Sequence, residues 1–488
     1  MRGGSDTRCR SAAPPRNEWL TLGCVSELRA ALQRTLELVA SYRESLPDAR
    51  VGPVAGRRDV RAALERPLPD EGAELDVVID ELVAAVEQGL MSSAGPRYFG
   101  FVVGGSTDAA LVADVLSSGW DQVAFNEATS PAAIAIEDVT GAWLKELLHL
   151  PASASTGFVT GGQAANTVGL AAARWHVLNE RGWDVGRDGL RGAPHVRVAA
   201  GAERHATIDR AVRLLGLGES AIEAVPVDHM GAMDAEALQR VLAAAPEGPT
   251  IVCAQAGNVN TGACDDLQAI AAVSRSVGAW LHIDGAFGLW AAASPRTAPL
   301  VDGIELADSW ACDGHKWLNV PYDAGYAFCA HPTVHATALA YTASYLTGQV
   351  AGREFGGGDF VLESSRRARA IPTWAALRAL GRSGVAELVD GCCALARRAA
   401  ERLDEIEGVE VVNDVVLNQV LVRVGDTAVT ERVERRVQED GTCWLGATTW
   451  RGERLLRLSI SNWSTTEADV EMSVESIERA RADASAAR

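Results

Sequence analysis

The middle of the chain alternates short apolar runs with longer stretches of helical periodicity. Runs at 196–200, 250–255 and 280–284 have the length of a strand and almost no polar face, the pattern of strands covered on both sides. Between them lie helices, one ending at Leu215 and one running from the caps Asp265 and Asp266 through Val277. Strand, helix and strand in that order imply parallel strands with right-handed crossovers. Ahead of this region, 20–42 and 75–89 show helical periodicity around a Pro-, Gly- and Arg-rich connector at 46–58. A capping turn at 126–131 precedes an amphipathic helix over 132–148. Beyond Tyr326 the pattern changes: 331–346 leads into a glycine-rich stretch, 347–358, read as a mobile loop. A helical region opened by 364–369 ends near Gly381, and a long helix over 384–407 follows. Strands are then expected near 409–412, 418–424, 443–447 and 455–459. The fold class is α/β, a mostly parallel doubly wound sheet with N-terminal helices and a small C-terminal α/β domain. The expected division is a disordered tail at 1–18, a helical segment at 19–92, a large domain at 93–383 and a small one at 384–488.

A chain of 488 residues is long enough for a large domain with a smaller companion. Its net charge of −19 argues against nucleic acid or an anionic membrane as partner. Nine scattered cysteines without a C-x-x-C pair read as reduced thiols in a cytosol, with neither a disulfide framework nor a metal site. No apolar run is long enough to span a bilayer, and the polar start, 1–16, has no apolar signal region.

Candidate chemistry centres on 308–326, where Lys316 follows His315 between Ala-Cys-Asp-Gly and an apolar Trp317-Leu318. A lysine in apolar surroundings beside a positive charge has its ammonium form disfavoured and becomes a usable amine nucleophile. Upstream, the run at 280–284 ends in Asp284 and is followed by Gly285-Ala286. A carboxylate and a lysine at successive strand ends suit pyridoxal 5'-phosphate, which needs a Schiff-base lysine and a carboxylate for its ring nitrogen. Here the chain resembles the group II pyridoxal-phosphate-dependent amino acid decarboxylases, in which H-[VI]-D-x-A supplies the pyridinium partner and H-K the Schiff base; the resemblance runs from about Tyr98 to Trp463.

The resemblance implies a fold-type I enzyme, a homodimer whose N-terminal helices clasp the partner subunit and whose active site lies at the subunit interface. It implies decarboxylation of an L-amino acid bound to the cofactor as an external aldimine, the resulting carbanion being delocalised into the ring as a quinonoid. Lys316 and Asp284 would be catalytic, with Ala286 beneath the ring and His315 on the phosphate. The small-residue turn from Gly157 opens a helix running to Asn179, and a helix N-terminus suits a phosphate. Gly162 and Gln163 take that role by resemblance. His205 stands where the family stacks a catalytic histidine on the ring, a role favoured here over that of a helix cap or a hydrogen-bonded core residue. Asn260 is either a polar contact of the cofactor's edge or part of an Asn-rich turn. Phe99 and Phe101 read equally as a packed corner or a substrate wall. The cluster Arg366-Arg367-Arg369 is a solvated face or, by resemblance, an attraction for a carboxylate at the entrance.

Val102-Val103-Gly104-Gly105 replaces the Tyr-Phe-Pro-Thr of aromatic amino acid decarboxylases, which leaves the substrate unnamed. The family carries a proton-donating tyrosine on the loop after the lysine. The last tyrosine here is Tyr345, and the place counted back from Arg366 holds Phe360. Phenylalanine at that place resembles the aldehyde synthases, whose product is an aldehyde with ammonia and hydrogen peroxide; otherwise Tyr345 or His205 supplies the proton. Transamination and a non-catalytic cofactor-holding protein are the remaining alternatives.

Overall fold

The structure, a computed structural model, describes residues 22–244, 248–339 and 355–486. The expected tail at 1–18 and Tyr345 lie outside them, as does most of the expected loop at 347–358. The chain divides into two compact units at Ser92.

The first unit is built from α1 (Leu22–Ser45), α2 (Arg57–Leu64) and α3 (Leu75–Val86), the last continued by a 3₁₀ turn to Gly89. Helix α2 begins inside the segment read as a connector. Helices α1 and α3 flank an apolar groove lined by Leu38, Val39, Ile79, Leu82, Val83 and Val86. Leu28, Leu32, Leu36 and Leu82 stay exposed on them.

The second unit carries α4 (Asp108–Trp120), α5 (Pro131–Leu147) and α6 (Gly162–Asn179) around a seven-stranded sheet. Its strands are β1 (Ser155–Val159), β2 (Arg197–Gly201), β3 (Ile222–Val225), β4 (Thr250–Gln255), β5 (Trp280–Asp284), β6 (Ser309–Asp313) and β7 (Gly325–Cys329), in the order β1-β7-β6-β5-β4-β2-β3. Strand β7 runs against the direction shared by the other six strands. Successive residues of one strand enter different cores. Val252, Ala254, Leu281 and Ile283 face one side; Ile251, Cys253 and Trp280 face the other. Both faces are covered, so the strands need no polar alternation. The parallel arrangement brings the ends Val159, Gly201, Gln255, Asp284 and Asp313 to one edge, where open α/β sheets bind ligands.

Strand β1 begins at Ser155, so residues read as the start of a turn are extended there and pair with β7, Phe158 opposite Tyr326. The helix Ala370–Asp404 breaks at Gly381, whose φ of 63° is left-handed. It leads to an antiparallel sheet of β8 (Val409–Val411), β9 (Gln419–Val424), β10 (Gly446–Trp450) and β11 (Glu453–Ser459), in the order β10-β11-β9-β8. Strand β10 starts later than expected because Trp444 is already engaged: its N–H donates to Arg97 and its carbonyl accepts from Phe99.

Candidate active site

Asp284 closes β5 and is 5% exposed. Its Oδ2 accepts from Asn166 Nδ2 at 3.0 Å and Thr207 Oγ1 at 3.3 Å, and its Oδ1 from the Ala286 N–H at 3.2 Å. Behind Asn166 the bonding has a single direction. Trp280 Nε1–H donates to Ser309 Oγ at 2.9 Å, and because Asp284 takes the Asn166 N–H and leaves Oδ1 to accept from His282 Nε2–H, His282 Nδ1 accepts the serine hydroxyl at 2.8 Å. His282 Nε2–H then donates to Asn166 Oδ1 at 2.9 Å, which turns the amide's N–H groups towards Asp284. Burial pulls His282 down to about 4, so the ring is neutral and fits this assignment. Gly169 makes the approach possible, since a Cβ there would lie 2.6 Å from the His282 ring. Each link crosses between segments distant in sequence.

Strand β6 ends at Asp313, and Lys316 Nζ returns to Asp313 Oδ2 at 2.9 Å. Burial lowers the Lys316 amine, but the carboxylates of Asp313 and Asp284 outweigh it and the net pKa is raised. The expectation of a depressed lysine is thereby corrected: the sequence neighbour His315 is not the dominant charge. Burial keeps His315 below its ordinary value. Its Nδ1 accepts the Ala324 N–H at 3.2 Å and its ring stacks on Tyr322 at 4.3 Å. The neutral ring therefore carries hydrogen on Nε2, which lies 3.6 Å from Asp313 Oδ1.

Asp313 Oδ1 also accepts the Gly162 N–H at the start of α6. The following N–H groups, of Gln163 and Ala164, lie at the open helix end, where no earlier turn supplies carbonyls. A Cβ on Gly161 would come within 2.8 Å of His315, and one on Gly162 within 2.9 Å of Asp313 and 3.5 Å of Ala286. Ala286, Gly162, Asp284, His315 and Lys316 thus share one end of the sheet.

His205 caps the helix Ala206–Leu214, its Nδ1 accepting the Thr207 N–H. The ring is open to the cleft, yet its walls desolvate it, and with the charges of Lys316 and Arg457 they lower its pKa. Gln163's side chain is tied to Thr207 O and Thr167 Oγ1, leaving its backbone N–H as the group for an anion. The Asn260 N–H donates to Asn258 Oδ1, while Asn260 Oδ1 is buried without a partner among the described residues. Asn258 ties this loop to the His205 loop through Glu203 O.

The aromatic pair separates. Phe99 is 1% exposed inside the core of the small sheet, so a place in a substrate wall is corrected to a packing role. Phe101 is 66% exposed, with φ 54°, and stands against Trp444, which stacks on Tyr98. Residues in that left-handed region cost on the order of 1–2 kcal/mol each; Phe101 and Val102 both adopt it beside the site. Gly104 lies directly over Lys316, where a Cβ would overlap the lysine carbonyl. Phe360 is not brought to the cluster: its ring lies 4.9 Å from His335 and its carbonyl covers Gly157 in β1. The arginine cluster is consumed by pairs. Arg366 is buried against Glu137, Arg367 meets Asp114 and Arg369 meets Asp323.

Sequence reasoning missed Asp313, Asn166 and Arg457. Arg457 of β11 donates to Val259 O at 3.0 Å, is desolvated and has no carboxylate partner among the described residues. Among those residues there is no cluster of three metal-ligating side chains. The residues fit pyridoxal phosphate: an anchored carboxylate suits a protonated ring nitrogen, a lysine suits an aldehyde, and Gly162 N–H already bonds an anionic oxygen.

Comparison with known proteins agrees. Residues 58–424 match the pyridoxal-dependent decarboxylase conserved domain. The chain is 27% identical over 457 residues to an aromatic-L-amino-acid decarboxylase of Bacillus atrophaeus, covering 90% of this chain and 93% of that one. It is 25% identical over 467 residues to a 4-hydroxyphenylacetaldehyde synthase of Rhodiola rosea, covering 92% and 93%. Its fold superposes on the crystal structure of Oryza sativa TDC with PLP and tryptamine at a TM-score of 0.87, covering 95% of this chain and 99% of that one at 24% identity.

Proposed function

The chain belongs to the pyridoxal-dependent decarboxylase family, and from that premise we propose how its own residues serve the reaction. It is a pyridoxal-phosphate-dependent carboxy-lyase acting on an amino acid. The observation that carries the assignment of roles is the Asn166-anchored Asp284 on the strand beside the one leading to Lys316.

Bound pyridoxal phosphate supplies a carbonyl for the substrate amine and a cationic ring that stabilises the carbanion left by CO₂. Lys316 Nζ binds the aldehyde. Asp284 holds the proton on the ring nitrogen, and Asn166 and Thr207 keep its carboxylate aimed. The N–H groups opening α6 and His315 Nε2 bind the phosphate. Ala286 is small enough for the ring to rest on. His205 Nε2 faces the substrate side, and the loop of Asn260, tied to the His205 loop through Asn258, borders the cofactor's edge. Arg457, which lacks a carboxylate of its own, receives the substrate's. Phe101 and Trp444 exclude water at the mouth.

The product we propose is the amine. Aldehyde formation, the activity of the Rhodiola aldehyde synthase, is the second reading, but Phe360, packed at a tilt against His335, does not argue for it here. A homodimer is the proposed assembly, with a second copy completing the active site. Its support is the apolar stripe Val112, Leu116 and Trp120 left exposed on α4. Among the described residues no helix is long and apolar enough to cross a membrane. The described cysteines are unpaired, which supports a cytoplasmic setting.

The test is cofactor absorbance and CO₂ release across a panel of L-amino acids, for the wild type and Lys316→Ala. We expect the lysine-bound cofactor band and CO₂ release to vanish together in the variant. Near-normal turnover by Lys316→Ala would overturn the assignment, and amino-group transfer without CO₂ would indicate transamination.

A further inference from the structure

Asp313 is a buried carboxylate that the reaction described above does not use. It is 1% exposed, its backbone is held by Ala286 and Trp290, and both side-chain oxygens are committed. One accepts the Gly162 N–H that opens α6, and the other meets Lys316 Nζ at 2.9 Å. His315 Nε2 lies 3.6 Å away. These are the donors a phosphate would need, so the phosphate seat already contains a fixed negative charge wired to its own ligands.

We propose that Asp313 is a competing anion built into the phosphate seat, so that a phosphate group binds there together with a proton and is held less tightly as pH rises. The inference rests on the cofactor reading above. A phosphate monoester is close to doubly charged above its second pKa of about 6. Placed beside a carboxylate out of bulk water, one of the two anions is driven to keep a proton. The proton-bearing pair has a raised pKa in the complex. Binding is therefore strongest below that value and weakens as pH climbs through it.

The groups facing Asp313 define what else titrates there. Lys316 and His315 follow it, Cys312 precedes it on β6, Asp284 stands on β5 and Tyr326 on β7, with Tyr322 and His205 across the cleft. Removing Asp313 also changes Lys316, whose bond to an aldehyde contributes to any cofactor affinity. Pyridoxal, which has the aldehyde and ring but no phosphate, corrects for this.

The experiment measures dissociation constants of pyridoxal phosphate and of pyridoxal from about pH 6.5 to about pH 8.5, for the wild type and Asp313→Asn. In the wild type, the preference for the phosphorylated form should fall by about tenfold over that range. In Asp313→Asn it should be about tenfold larger at the upper end and nearly flat with pH. Equal preference and equal slope in the two proteins would overturn the proposal. Should the variant not fold, calorimetry of the wild type in two buffers of different ionisation enthalpy decides. More proton uptake is expected with pyridoxal phosphate than with pyridoxal, and equal uptake overturns the idea. If pyridoxal phosphate does not bind the wild type at all, the cofactor reading itself fails.

Discussion

Asn166 donates to Asp284 at 3.0 Å with an amide whose other end is fixed by His282 at 2.9 Å. A carboxylate takes only the N–H end of the amide, and His282 Nε2–H, by holding Oδ1, fixes that end on Asp284. The orientation is stabilised through four side chains that reach back to Trp280 at the far end of β5. Removing a hydrogen bond to a charged group costs about 1.5–3 kcal/mol. Asn166→Leu should therefore slow decarboxylation by roughly ten- to a hundredfold while the protein still binds cofactor. Asp284→Asn removes the charge itself and should slow it further. Single-turnover rates on cofactor-saturated protein measure both, and an Asn166→Leu rate equal to wild type would show that the anchor does not matter.

Much of the site was legible because local pattern and chemistry coincide. The run at 280–284 has only His282 among its apolar residues before it ends in Asp284, so its carboxylate had to stand at a strand end. The His-Lys pair marked Lys316 in the same way. What sequence concealed was spatial. Asn166 reaches Asp284 only because α6 crosses β5, and Arg457 reaches the cleft from the second sheet. The charge state of Lys316 was misread because the adjacent residue was taken as its neighbour. His315 turns to Ala324 and Tyr322, while Asp313, a turn earlier, makes the contact. An extended chain would place Phe99 and Phe101 on one face, and the left-handed φ of Phe101 is not written in its residue type.

His282 links the site to stability. Its folded pKa of about 4 lies below the ordinary 6.5, so the unfolded chain binds its proton more readily. The contribution is present above about pH 6.5 and lost as pH falls towards the folded value, to the extent of about 3 kcal/mol at most. Asp265, raised by burial to about 6, acts in the opposite sense as pH falls. The comparison that isolates the histidine is wild type against His282→Gln. Denaturant unfolding at about pH 7 and about pH 5 should show the wild type losing roughly 1–2 kcal/mol more than the variant. Equal losses would mean that His282 is solvated in the native state.

Arg457 gives a prediction about affinity. A desolvated guanidinium whose described partner is a carbonyl is held at a cost that an incoming carboxylate can offset. Arg457→Met should raise KM by tenfold or more and leave the cofactor absorbance intact. Its charge also helps lower His205, so the variant's acidic limb in a pH–rate profile should move up if His205 titrates in the reaction. An unchanged KM would place the substrate carboxylate elsewhere.

The product is the last matter, and Phe360 is the residue on which it turns. Read along the sequence, Phe360 fills the place of a proton-donating tyrosine, and its missing hydroxyl would leave the carbanion to react with O₂. In the fold its ring packs on His335 and Phe355, and its backbone covers β1 at Gly157 rather than the end of the sheet that carries Asp284 and Lys316. Phe360 is only half-buried and borders a pocket that also holds Glu137, Lys145 and Phe355, so a hydroxyl on its ring has polar surroundings within reach. Phe360→Tyr should therefore change stability by no more than about 1 kcal/mol and leave the ratio of amine to aldehyde unchanged. Peroxide and amine assayed together on wild type and variant make the test. Peroxide from the wild type that falls in Phe360→Tyr, with amine rising in step, would return Phe360 to the reaction and the enzyme to aldehyde synthesis. Amine without peroxide in both proteins is the outcome expected from a ring that never meets the substrate.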